Sequence, residues 1–75
     1  MKRKIRGIAK NMAYQEGYDN VKYLNKWHEY DVFEPIYNDN EIRITGYPIF
    51  ILHKDGKFRW SEYEEGVQIM DKLFE

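Results

Sequence analysis

The sequence contains no cysteine, and that absence alone excludes disulfide staples, thiolate catalysis and cysteine-based zinc sites. It fits a reducing compartment. Aliphatic hydroxyl groups are nearly as scarce: Ser61 is the only serine and Thr45 the only threonine. No apolar run approaches the roughly 18 residues of a membrane span. The positive start, MKRKIRGIAK, is not followed by the apolar core of a secretory signal. The chain is therefore expected in the cytoplasm. No glycine-rich phosphate loop and no GxSxG elbow occurs. The two histidines, His28 and His53, stand apart from any Cys, His, Asp or Glu grouping of metal-ligand spacing. Ser61 is better used as a helix cap than as a nucleophile, and Thr45 has no base near it in sequence. The carboxylates of Glu62, Glu64 and Glu65, and of Asp39 and Glu41, read as solvated faces. No catalytic residue, metal ligand, cofactor or small-molecule ligand is assigned, and the chain is expected not to be an enzyme.

What is present is a single short domain. Seventy-five residues lie near the lower limit for a chain without staples. Aromatic residues make up 17% of it, and at roughly 150–250 Å² hidden per ring they can still assemble a core. The net charge is only −1, but it is unevenly placed. Residues 1–30 hold seven Lys/Arg against three Asp/Glu, a balance of +4; residues 31–75 hold five against ten, a balance of −5. Such asymmetry suits an anionic partner, or attraction between the halves or between copies.

The organising stretch is residues 46–60, GYPIFILHKDGKFRW. Ile49, Phe50, Ile51 and Leu52 form the longest apolar run, and Asp55-Gly56 is a strong signal for a two-residue type I′ hairpin. Pairing outward from that turn sets Lys54 against Lys57, His53 against Phe58, Leu52 against Arg59 and Ile51 against Trp60. Ile49, Ile51, His53, Phe58 and Trp60 then share one face; Phe50, Leu52, Lys54, Lys57 and Arg59 share the other. Phe50 and Leu52 make the second face apolar as well.

Residues 3–16 predict a helix with an apolar stripe of Ile5, Ile8, Ala9, Met12 and Ala13, stopped at Gly17. Gly7 weakens its first turns. In residues 21–37, VKYLNKWHEYDVFEPIY, two readings compete. Either 21–27 and 30–37 are two strands joined at His28-Glu29, or only 30–37 is a strand. Val21, Tyr23, Val32 and Phe33 favour two strands. His28-Glu29 is a poor type I′ pair, so the turn is expected to exceed two residues. Pro35 marks an edge, a bulge or a strand end. Residues 38–47 begin as a loop, although Ile42 and Ile44 alternate with Arg43 and Thr45, so that the hairpin strand can start before a kink at Gly46-Tyr47-Pro48. Ser61 with Glu64 reads as a capping box, opening a C-terminal helix with a stripe of Tyr63, Val67, Met70 and Phe74, Leu73 beside it. That stripe is expected to dock on the Ile49/Ile51/Trp60 face. The fold class is α+β in the order α-β-β-β-β-α: an antiparallel sheet of three or four strands, flanked by an N-terminal and a C-terminal helix, largely on one face.

The stretch ITGYPIFILHKDGKF resembles the second half of thioredoxin-like domains, in which a turn ending in a cis-proline precedes a β-hairpin and a C-terminal helix. The resemblance sets Tyr47-Pro48 at the place of that proline. It covers about a fifth of the chain, and with no CxxC present it transfers neither redox activity nor site residues.

Two functions remain. The first is a small interaction or accessory module that binds another protein or itself, with Phe50 and Leu52 as the self-association face of a symmetric homodimer. The second is nucleic-acid binding through the basic cluster of Lys2, Arg3, Lys4, Arg6 and Lys10. A sequence pI of about 6.1 and the lack of any helix-turn-helix, RRM or KH signature weigh against the second. A membrane-surface role has little support, because the first helix lacks large apolar anchors beyond Ile5, Ile8 and Met12.

Overall fold

Arg3–Gln15 forms the first helix, α1, in the computed structural model, which describes residues 3–37 and 49–73. Lys2, the Tyr47-Pro48 turn, the Ile42/Ile44 alternation and Phe74 lie outside the described residues. The inward face of α1 is Ala9 and Ala13, both fully buried, with Ile5 and Met12 packed beside them. Ile8 turns away and is exposed. The helix ends as glycine-stopped helices do. Gly17 takes φ 93°, Tyr18 N–H donates to the Ala13 carbonyl at 3.0 Å and Gly17 N–H to the Tyr14 carbonyl at 3.1 Å.

Strands β1 (Asn20–Trp27) and β2 (Tyr30–Ile36) pair antiparallel. The turn between them is shorter than the residue types predict. Trp27 pairs with Tyr30, and His28 and Glu29 supply the whole loop at φ 48° and 68°. Positive φ at both central residues matches the twist of the flanking strands. The Trp27 ring lies 4.3 Å from His28 and stacks on Tyr30 at 6.4 Å, packing that offsets the strain of two non-glycine residues in this region. Asp55 (φ 52°) and Gly56 (φ 79°) repeat the geometry between β3 (Ile51–Lys54) and β4 (Lys57–Trp60), with the four pairings expected from the sequence.

The register of β1 slips between Tyr23 and Asn25, leaving Leu24 as an extra residue. This bulge changes the phase of the strand. Unbroken alternation would set Val21 and Trp27 on one face; instead Val21 joins the core beneath α1 and Trp27 the core on the other side. Pro35 sits opposite Val21, beyond Phe33, where the β2–β3 pairing ends, so its missing N–H breaks none of those pairs.

The sheet is a four-stranded antiparallel meander, β1-β2-β3-β4, closed by α2 (Tyr63–Leu73). The two helices cover opposite faces. On one, Ala9, Ala13, Val21, Phe33 and Ile51 form a core with Tyr23, Phe58 and Trp60 around it. On the other, Ile69 of α2 packs with Trp27, Val32, Phe50 and Leu52. The expectation that both helices pack largely on one face is thereby corrected, and two others with it. The C-terminal helix does not dock on the Ile51/Trp60 face, which α1 already fills. Nor are Phe50 and Leu52 a free apolar patch: they are 2% and 0% exposed, covered within the same chain.

The start of α2 is shifted by one residue from the expected box. Glu62 N–H is bound by the Glu65 carboxylate at 2.9 Å, and Gly66 N–H closes the first helical bond onto the Glu62 carbonyl. Glu62 is thus the N-cap and Glu65 the N3 residue reaching back. Ser61 instead extends the hairpin. Its Oγ accepts Phe50 N–H at 2.9 Å and its own N–H donates to the Phe50 carbonyl at 2.8 Å.

Candidate functional site

Both hairpin turns lie at one end of the sheet, and polar groups gather there on both faces. On the α1 side, strand alternation and the Asp31–His53 pairing bring a histidine against a carboxylate. His53 Nδ1 lies 2.9 Å from Asp31 Oδ2, while Gly56 N–H donates to Nε2 at 3.2 Å. An Nε2 that accepts leaves the ring proton on Nδ1, donated to Asp31. Tyr23 Oη donates to Asp31 Oδ1 at 3.3 Å and Lys26 Nζ stands 3.9 Å from the same oxygen. Burial, then the Asp31 charge and its hydrogen bond, raise the Tyr23 pKa above its ordinary value. Phe58 lies over the imidazole at 4.6 Å.

An aspartate–histidine pair is the usual support for a general base, but this one has no free nitrogen to offer. Ser61 is not brought to it either. Its partner is Phe50, just before β3 and three residues from His53, a rise of about 10 Å in extended chain. The cluster therefore ties the 55–56 turn to β2. Among the described residues no group of three His, Cys, Asp or Glu side chains gathers as a metal would require, and no described buried side-chain polar atom lacks a partner.

On the α2 side, Arg59 holds Glu65 through two bonds of 2.7 Å and donates to the Tyr30 hydroxyl at 3.2 Å. Its guanidinium carbon lies 5.0 Å from the Tyr30 ring centre. The bond from Arg59 lowers the Glu65 pKa to about 2, burial opposing and the Glu62 N–H assisting; the same pairing raises Arg59. This bidentate pair pins the first turn of α2 over β4. Beside it, a hollow of about 380 Å³ is lined by Tyr30, Lys54, Asp55, Lys57, Phe58 and Arg59. Its cations are largely answered already, Arg59 by Glu65 and Lys54 by Glu29 at 3.4 Å.

The residues singled out in the sequence fall differently. Lys4, Arg6 and Lys10 are exposed on α1, and Arg6 also reaches the Val21 carbonyl at 3.4 Å. Arg3 opens the helix. Phe50 and Leu52 are interior. Among the described residues the large exposed apolar side chains lie instead on the helices: Tyr63, Val67 and Met70 on α2, and Ile8 and Tyr14 on α1, are 38–60% exposed. Tyr63, Val67 and Met70 recur at i, i+4 and i+7, which aligns them on one flank. Gly66, Ile69 and Leu73 make the flank that faces the sheet. Sequence spacing had marked the first set, but as the buried one. No described helix is long and apolar enough to cross a membrane. Comparison with known proteins finds no match to this chain among family models, curated proteins or solved structures.

Proposed function

We propose that the chain is a small non-catalytic interaction module of the cytoplasm, binding another protein or a second copy through the outer flank of α2. The observation that carries this reading is Val67 and Met70, 38% and 42% exposed on a helix whose other flank is fully used by the core. A helix that holds its fold with Gly66, Ile69 and Leu73 has no folding need for a second apolar row, and such rows mark interaction surfaces. The state of the polar groups supports the non-catalytic half of the reading. His53 has both ring nitrogens engaged and Ser61 is bonded to Phe50. A photo-reactive residue in place of Met70 should form a protein adduct, whereas the same residue in place of exposed Lys57 should form little. Equal yields at both positions would count against the reading.

The alternative, nucleic-acid binding, draws on one observation: α1 exposes Lys4, Arg6 and Lys10 and has no acidic residue along its length. Fluorescence anisotropy with labelled single-stranded DNA tests it. Binding whose affinity falls steeply with salt, and that Lys4→Glu/Lys10→Glu abolishes, would favour this alternative.

A further inference from the structure

We propose that the surface on α2 is filled by α1 of a second copy, so that the protein assembles head to tail. This rests on the interaction reading above and names its partner. The two helices lie on opposite faces of the sheet, and their outer surfaces carry opposite charge. On α1, Lys4, Arg6 and Lys10 are exposed and no acid occurs within Arg3–Gln15. On and just before α2, Glu62, Glu64 and Asp71 are exposed. Glu65 is already paired with Arg59, and Lys72 is the only cation. By helical spacing Lys72 falls on the far side of the helix from Met70. Val67 and Met70 are therefore bordered by carboxylates that no cation among the described residues pairs with, and the surface that complements them is basic with some apolar content.

The outer face of α1 has that composition. Gly7, Asn11 and Tyr14 follow one another at i, i+4 and i+7, with Lys4 and Ile8 on one side and Lys10 on the other. Ile8 and Tyr14 are exposed. A Cβ added at Gly7 would meet nothing within 4 Å, so this face has a notch where a side chain such as Met70 can approach the backbone. Symmetric arrangements are worse. An antiparallel α2–α2 contact sets Glu64 of each copy near Asp71 of the other, and an α1–α1 contact sets cation against cation; like charges across an interface are penalised. Because each copy has one surface of each kind, facing away from each other, the contact is heterologous and builds open chains or closed rings.

Sedimentation velocity on the parent chain and two variants tests this. The parent should associate with rising concentration, and high salt should weaken the contact. Lys4→Glu/Lys10→Glu spoils the α1 surface and Val67→Ser/Met70→Ser the α2 surface, all four positions being exposed. Each variant alone should sediment as a monomer, with affinity reduced about tenfold or more. Mixed together, they retain one intact surface of each kind and should form a complex that stops at two chains, which also proves both variants folded. A monomeric parent at every concentration overturns the head-to-tail contact, and photo-cross-linking at position 70 then decides separately whether α2 binds some other protein. An α1 variant that associates like the parent overturns it too, while leaving the α2 surface standing. If the α2 variant also associates unchanged, both readings fall.

Discussion

At the scale of single residues, the side chains that would draw attention as chemistry are holding backbone. Ser61 is the clearest case. Its hydroxyl stands where a strand would present a carbonyl and takes the amide proton of Phe50 inside the core. Ser61→Ala therefore leaves a buried N–H without that acceptor, which costs about 1–3 kcal/mol, more than loss of an exposed helix cap. Chemical denaturation should show that loss with the slope of the transition unchanged. A Ser61→Ala chain as stable as the parent would mean that the Phe50 amide finds another acceptor. His53 was recognisable in sequence as a hairpin-end residue, but its partner was not, because the Asp31–His53 pairing spans 22 positions and depends on the β2–β3 register.

At the scale of elements, α2 shows why periodicity alone misplaces a helix. Its sequence offers two apolar rows, and Tyr63, Val67 and Met70 are the bulkier. What selects the other row is outside the helix: α1 occupies the Ile51 face, and Arg59, alternating onto the Leu52 face, seizes Glu65. Ile69→Ala should then cost about 2–4 kcal/mol through the cavity it leaves, whereas Val67→Ala should stay within about 0.5 kcal/mol. Equal losses would mean the helix is rotated from this placement. The Arg59–Glu65 pair adds a pH dependence. Glu65 is held at about 2, below its ordinary value of 4.5, so the unfolded chain takes up the proton first. The pair's contribution is fully present above about pH 4.5 and is lost as pH falls toward 2. With the Arg59 side chain 41% exposed, solvent screening holds that contribution to about 1 kcal/mol. Glu65→Gln should remove it, so that parent and variant converge in stability near pH 2 and separate above pH 4.5. The hairpin at Asp55-Gly56 was legible because its turn residues select their own geometry. The turn at His28-Glu29 was not, since there the packing of Trp27 and Tyr30 imposes the geometry on residues that do not favour it.

For the whole molecule, the sequence signalled a two-faced sheet through Phe50 and Leu52 alternating with Ile49 and Ile51, but not which helix would cover which face. The answer makes one sheet serve two cores. Val32 and Leu52 face one way and Phe33 and Ile51 the other, on adjacent positions of the same two strands, so neither core can open without disturbing backbone that the other needs. A domain this small has total stability of only about 5 kcal/mol or somewhat more, too little to divide between independent halves. The two tryptophans report on the two sides separately: Trp60 packs on the α1 side and Trp27 on the α2 side. Single-tryptophan chains made by Trp27→Phe and Trp60→Phe should each melt in one step. Within each chain, the remaining tryptophan's fluorescence and far-ultraviolet circular dichroism should give the same midpoint, as expected when all probes follow one transition. A fluorescence transition at Trp27 that runs ahead of the loss of strand signal would show instead that α2 lifts off first, and that the core beneath α1 stands without it.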